Sequence, residues 1–366
     1  MIHNLILSGW EALTEYLSAH VLTCLILAFF IAGAIAVFVS KDAVIKYFGP
    51  KAKRWLAYSV ASTSGAILAV CSCTILPLFA GIRQQGAGLG PAIAFLYSGP
   101  AINVLAIIYS AQLLGVDLGA GRAIGAILFS IVIGLIMAAI FKRDEERLFA
   151  GNSAWSDGQF DDNAHPLKKV IPYFATMIIL LVAASSIGLV IAILKSEVGI
   201  WSLVLSGKPV PAIIAVVLLI GVIIMSFRWY SSDERSVWMA ETWGLTKKIF
   251  PILLAGVFVA GMIKFLLPEE AVQRWVGGNG VSNNLLASII GALMYFSTLT
   301  EVPIVKALMD LGMGKGPALT LLLAGPSLSL PNMIVIGKVM GIKRTGVYVV
   351  LVIILSTVSG LIFGKL

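Results

Sequence analysis

The sequence predicts an all-α polytopic membrane protein of about 8–10 transmembrane helices, built from two related, inverted repeats with broken or re-entrant helices. Three observations carry this expectation: a composition that no water-soluble fold could solvate, ten long apolar segments, and a self-similarity at one fixed offset. Hydrophobic residues make up 59% of the 366 positions and charged residues 12%, whereas roughly a quarter of a soluble domain is charged. The apolar segments fall at 21–40, 55–82, 89–115, 122–141, 170–194, 209–227, 249–267, 283–308, 315–340 and 346–364. Nearly all reach the roughly 20 residues needed to cross the hydrocarbon core.

Residues 1–20 carry no Lys or Arg, so they lack the basic start of a cleaved signal peptide and are expected to be retained. Ile2, Leu5, Ile6, Trp10, Leu13 and Leu17 recur at helical spacing, with Glu11 and Glu15 elsewhere on the turn. That pattern predicts an interfacial amphipathic helix over 1–20. The net charge of +8 raises nucleic acid as a partner, but the basic residues sit in short loops beside apolar helices, without interleaved aromatics. Membrane orientation accounts for them better.

Aligned against itself at an offset of 226, the chain pairs Gly65 with Gly291, Thr74 with Thr300, Pro77 with Pro303, Gly86 with Gly312, Gly88 with Gly314 and Gly90 with Gly316. The register continues through Pro91 and Pro317, Gly99 and Gly325, Pro100 and Pro326, and Gly115 and Gly341. Glycine and proline matches are the least easily produced by shared hydrophobicity. The first repeat is expected at 21–141, with a broken-helix module at 55–115, and the second at 249–366, with its module at 283–340. Between them lie a cytoplasmic linker at 142–169 and a central helix pair with its loop at 170–248. Pro77, Pro303 and the two Gly-Pro pairs interrupt apolar stretches, where a proline removes a backbone donor and crowds the preceding turn. Freed backbone groups at membrane depth must be satisfied by protein or by a water-lined cavity, so matched breaks in two halves point to a transporter's binding site.

Charge counting decides between parallel and inverted repeats. If every segment crosses once, basic residues divide almost evenly between the two sides, against the positive-inside rule. If each module crosses an odd number of times, the loops 41–54, 142–169, 228–248 and 341–346 share one side and bring sixteen Lys and Arg together. The other side then holds only Arg122, Lys195, Lys208, Arg274 and Lys365, with Arg83, Lys264, Lys306, Lys315 and Lys338 unassigned. The halves would run in opposite directions.

The candidate substrate-binding residues lie at the breaks: Cys71, Cys73, Thr74, Pro77, Ser98, Gly99, Pro100 and Asn103 in the first module, and Thr300, Gly325, Pro326, Ser327 and Asn332 in the second. Cys71 and Cys73 could converge on one soft ion if the backbone is unwound there, since thiolate prefers thiophilic species; both could equally pack as small apolar residues. Asn103 and Asn332 could coordinate solute or satisfy carbonyls freed by proline. Glu301 is the one acid inside the apolar segments, and a carboxylate at membrane depth marks a pathway, a proton relay or a paired charge. It is the candidate proton-coupling residue, the alternative being a structural pair with Lys306 or Lys264. Cys24 is expected to pack. The three cysteines lie in apolar segments and the histidines, His3, His20 and His165, outside them, so no disulfide framework, metal site or cofactor is expected.

The run CSCTILPLFAGI followed by GAGLGPAIAFLYSGPAIN, with GMGKGPALTLLLAGPSLSLPN at 312–332, resembles the predicted-permease family that includes organoarsenical efflux permeases. The resemblance implies a multi-pass permease of a prokaryotic plasma membrane. In the family's characterised branch it implies export of trivalent organoarsenicals, with Cys71 and Cys73 at the positions of the suggested ligands. The chain contains no Walker motif, so transport would use a gradient or a separate partner. Expected partners are the lipid bilayer and a small-molecule or ion substrate, with a homo-oligomer left open and no nucleic acid. The competing readings are a channel or scaffold subunit of a membrane complex, and a thiol oxidoreductase using Cys71 and Cys73.

Overall fold

A computed structural model describes residues 2–17, 25–38, 48–49, 52–68, 72, 74–102, 104–151, 167–195, 210–266, 277–294 and 301–365. Among these it contains sixteen helices. In the first half they are α1 (Ile2–Tyr16), α2 (Ile26–Phe38), α3 (Arg54–Leu68), α4 (Ile75–Gln84), α5 (Leu89–Ala101), α6 (Val104–Leu114) and α7 (Val116–Ile140). Then follow α8 (Lys142–Gly151), α9 (Leu167–Lys195) and α10 (Val210–Trp229). The second half holds α11 (Ser232–Leu266), α12 (Val281–Leu293), α13 (Glu301–Asp310), α14 (Lys315–Ala324), α15 (Leu330–Met340) and α16 (Ile342–Phe363). Large apolar side chains such as Ile124, Leu128, Phe227, Val350 and Ile354 face outward, a surface that suits lipid and not water.

The offset of 226 recurs in the elements. α4 and α13 begin and end at matched residues, and so do α6 and α15. Gly86 and Gly115 have φ of 96° and 108°, and their counterparts Gly312 and Gly341 have 106° and 92°, so the same turns close the same hairpins with the residue that tolerates positive φ. Ser62 and Ser130 share a 3.0 Å hydrogen bond, and their counterparts Ser288 and Ser356 one of 2.9 Å. A Cβ on Gly134 would lie 2.7 Å from the Gly90 carbonyl oxygen, and one on Gly360 2.6 Å from that of Gly316. These close glycine crossings let the backbones meet where lipid supplies no hydrophobic drive.

Each half is organised around a buried helix. Every residue of α5 is buried, as is Gly316–Ala324 of α14, so both are apolar on all sides as core helices must be. α5 packs between α3 and α7, and α14 between α12 and α16. α4 and α13 have 10 residues each, a length of about 15 Å at 1.5 Å per residue, half of the hydrocarbon core. Among the described residues three helices can cross a bilayer unbroken, Val116–Ile140, Ser232–Met262 and Ile342–Phe363; Leu89–Ala101 and Ala106–Leu114, bent by 46°, make a fourth span if counted together. The long apolar segments at 55–82, 283–308 and 315–340 are each divided between two shorter helices.

The counterpart helices α7 and α16 pack against each other in opposite directions. The Arg344 guanidinium, at the start of α16, lies over the Phe141 ring at the end of α7; at the other end, Gly121 of α7 meets Phe363 of α16. The first hairpin turn belongs to the Phe141 end: Gly88 N–H donates to Phe48 O at 2.7 Å, and the Gln85 amide donates to Ala36 O. The second hairpin turn belongs to the opposite end, where Lys315 pairs with Asp117 at 2.6 Å and Met313 bridges to Gly277. Phe38 stacks on Tyr230 at 3.8 Å, and Tyr173 packs edge-on to both. These contacts draw the ends of α2 and α10 and the start of α9 together.

Several readings of the sequence change. Pro77 and Pro303 are the third residues of α4 and α13 and do not interrupt a helix; in the first turn no backbone donor is required of them. The stretch 228–248, read as a loop, is largely the first half of α11, whose start is closed by a reciprocal pair in which Ser231 N–H donates to Glu234 and Glu234 N–H to the Ser231 hydroxyl. The linker at 142–169 opens with α8, and α1 packs along α11, with the Ser8 hydroxyl on Gly261 O at 3.0 Å.

Candidate functional site

α7 buries Leu118, Arg122, Gly125, Phe129, Ile133 and Met137, one stripe at helical spacing, and Arg122 occupies a position where its neighbours are apolar. Its side chain is fully buried. α13 buries Glu301, Val302, Val305 and Leu308, again one stripe, with Glu301 at the first helical residue. There the unpaired N–H groups of the first turn favour a carboxylate. Packing α13 against α6 and α14 brings the two side chains together.

Arg122 Nη2 lies 3.4 Å from Glu301 Oε2, and Arg122 Nη1 donates to the Ser110 hydroxyl of α6 at 3.0 Å. Arg122 Nε and Glu301 Oε1 have no hydrogen-bond partner among the described residues. Gly325 closes one side of the pair: a Cβ there would stand 2.7 Å from Glu301 Oε1. Tyr97 is close enough to Arg122 to interact with its charge. The Tyr97 hydroxyl donates to Leu323 O at 3.3 Å and the Tyr348 hydroxyl to Ser327 O at 3.2 Å. Arg122 and Tyr348 are counterparts at the offset of 226, and so are Tyr97 and Leu323. The polar cluster therefore occupies matched positions of the two halves, filled with different residues.

Of the residues singled out in the sequence, Gly325, Ser327 and Glu301 meet in this cluster. α14 ends at Ala324, and 325–329 is not helical, so the second Gly-Pro pair stands at a break. Pro100 lies in the last turn of α5, with the break two residues later. Pro77, Gly99, Pro100 and Pro326 are buried. The Ser98 hydroxyl donates to the carbonyls of Ala61 and Phe95, a packing role. Thr74 is buried at the start of α4. Asn332 is buried with its Oδ1 unpartnered among the described residues. Cys71, Cys73, Asn103 and Thr300 lie outside the described residues.

Among the described residues Glu301 pairs with Arg122 and not with Lys306. Lys306 bonds Asp310 one turn on, the Lys264 side chain lies outside the described residues, and Arg122 is the partner. In the sequence Arg122 opens the apolar run 122–141 and counts among the basic residues at one membrane side; the helix begins six residues earlier. An apolar groove of about 600 Å³ lies beside the cluster, between α7 and α16, with Phe129 and its counterpart Leu355 on its walls. Its lining includes a single charged residue, Asp117, so it offers a polar solute little to bind.

At the end of the bundle that holds Phe141, buried Glu145 of α8 joins the halves. It takes two 3.0 Å bonds from Arg83, accepts Leu89 N–H at 3.0 Å and pairs with Arg344 at 3.2 Å.

The family described as "Predicted permease" matches residues 6–365. The chain is 44% identical over 363 residues to UPF0718 protein MJ0584 of Methanocaldococcus jannaschii, covering 99% of this chain and 97% of that protein. It is 24% identical over 368 residues to UPF0718 protein YraQ of Escherichia coli, covering 98% and 81%. No solved structure matches.

Proposed function

Because the chain belongs to the predicted-permease family, we propose that it is a gradient-driven secondary permease that moves a small solute across a prokaryotic plasma membrane by alternating access. The observation that carries the reading is the buried Arg122–Glu301 pair, which joins the two halves where a half-length helix begins. A buried ion pair is weak evidence for stability, since apolar replacements of similar volume often do as well. Its presence at membrane depth suits a working site.

The antiparallel packing of α7 on α16, and the placing of the two hairpin turns at opposite ends, support reading the halves as inverted repeats with their shared axis in the membrane plane. The Phe141 end, with Arg83, Lys142, Arg143 and Arg344, is then the cytoplasmic end. Glu145 ties the two halves together at that end. Glu301 is the proton-coupling acid: a carboxylate at membrane depth suits a proton carrier, and its loose 3.4 Å hold on Arg122 lets proton binding and release accompany the change of access.

For the solute, the resemblance points to a thiophilic species, such as a trivalent organoarsenical, moved outward. Cys71 and Cys73 precede α4 as Ser297 and Leu299 precede α13, which would put soft ligands on one half and the acid on the other. The test is flux of a panel of thiophilic and anionic solutes in proteoliposomes, with and without a pH gradient. Gradient-dependent accumulation of a panel member supports the permease. Equal, gradient-independent leakage of all of them would favour a channel.

A further inference from the structure

We infer that the central site takes a small oxyanion: when Glu301 is protonated, Arg122 binds a carboxylate-like pair of oxygens in place of the Glu301 carboxylate. The inference rests on reading the chain as a permease with its site at this junction.

The guanidinium offers five N–H donors in a rigid plane and does not lose its charge. Nε and Nη2 lie along one edge of that plane, the edge that receives two oxygens side by side. Glu301 uses this edge poorly. Its Oε2 reaches Nη2 at 3.4 Å, while Nε and Oε1 are both without partners among the described residues. A well-formed charge-assisted bond of this kind is about 2.7–2.9 Å. The edge therefore holds one oxygen loosely where two fit, and a ligand with two adjacent oxygens can displace it.

Protonation of Glu301 would leave Arg122 as a buried charge with no counterion, which is costly. Among the described residues no charged group of a neighbouring element can replace it. On α6 the only titratable side chain is Tyr109. α14 carries Lys315, which is held by Asp117 of α7 at the exposed end. On α13 itself Lys306 and Asp310 pair with each other at the far end. α5 and α16 present Tyr97 and Tyr348 to the cluster, and Arg344 of α16 is held by Glu145. Among the described residues there is no second carboxylate to serve, so the neutralising anion must come with the proton. Two features suit its arrival. The Tyr97 and Tyr348 hydroxyls make long bonds, 3.3 and 3.2 Å, to backbone carbonyls and can turn as donors. The non-helical stretch 325–329, next to Glu301, can move without breaking a helix.

The test is binding by the full chain purified in detergent, with nitrate as probe because it stays anionic across the pH range, and chloride at equal ionic strength as control. Nitrate should bind the wild type at least tenfold more tightly at pH 5 than at pH 9, and chloride should not reproduce this. Glu301→Gln, which mimics the protonated acid, should bind nitrate equally at both pH values with the low-pH affinity. Arg122→Lys keeps the charge but not the fork and should weaken binding tenfold or more, read beside its thermal melt. The inference is overturned if wild-type nitrate binding does not change with pH, or if Glu301→Gln melts like the wild type yet binds no nitrate. Binding in detergent requires no transport, so a chain that binds nitrate in this way but moves nothing in vesicles contradicts the permease reading alone. One that moves a solute but binds no nitrate contradicts this inference alone.

Discussion

The Tyr97 hydroxyl hydrogen-bonds the carbonyl of Leu323, the residue exactly one repeat offset away, 226 positions later, at 3.3 Å. In a molecule of two related halves, a residue can touch its own counterpart only beside the axis that relates them. The same relationship appears between helices: α13 packs on α6, and their counterparts α4 and α15 pack on each other. Arg122 and Glu301 stand next to that axis, where a modest movement of one half against the other changes their surroundings most. Tyr97→Phe removes the bond and leaves a buried carbonyl short of a donor, so it should lower stability by about 1–2 kcal/mol, measured by thermal unfolding in detergent.

The ion pair itself should behave as a functional feature. Arg122→Met leaves Glu301 without its counterion and should destabilise by about 3–5 kcal/mol, and Glu301→Leu alone should do the same. Combined, they should recover most of that loss, because neither charge is then stranded. Denaturant unfolding of the three variants gives the coupling. A double variant no more stable than the singles would mean that the pair is holding the halves together.

The glycine crossings test the repeat. Gly134→Ala and Gly360→Ala each drive a Cβ against a carbonyl oxygen of the buried helix, and overpacking of this kind costs about 1–3 kcal/mol. Both variants should lose stability in thermal melts, Gly360→Ala the more because its Cβ would also press on the Thr320 hydroxyl and the Asn284 side chain, whereas Ala at Gly244, which has open space around it, should be tolerated. Ala tolerated at either 134 or 360 would show that the backbones do not meet there.

Much of this architecture is legible in the sequence because glycine and proline mark it. Gly86, Gly115, Gly312 and Gly341 are needed for positive φ, and such requirements survive when apolar side chains drift. The site was half legible. Glu301 stands out as an acid among apolar residues, but Arg122 sits at the margin of its run and its partner is 179 residues away, so no local pattern reveals it. The prolines misled for a different reason: the residue that breaks a helix is also favoured in a first turn. The start of α11 was readable in Ser231 and Glu234, spaced as a capping box, but the charges that follow resemble a loop.

Orientation can be read from counterpart residues. Gln84 and Asp310 end α4 and α13 and are both exposed. Gln84→Cys should be labelled by a membrane-impermeant maleimide only from the cytoplasmic side and Asp310→Cys only from outside, each read above the wild-type background. Labelling of both from one side would contradict inverted repeats.

The central claim, that Glu301 couples a proton to solute movement at the junction with Arg122, is tested most directly by accumulation of a transported solute in proteoliposomes under an imposed pH gradient. Wild type and Glu301→Gln are compared at equal density, with solute binding measured on the same preparations. The account predicts gradient-driven accumulation by the wild type, and retained binding with accumulation abolished in Glu301→Gln, whose amide keeps the shape and polarity of the acid but carries no proton across. Accumulation by Glu301→Gln equal to that of the wild type at every pH would contradict it.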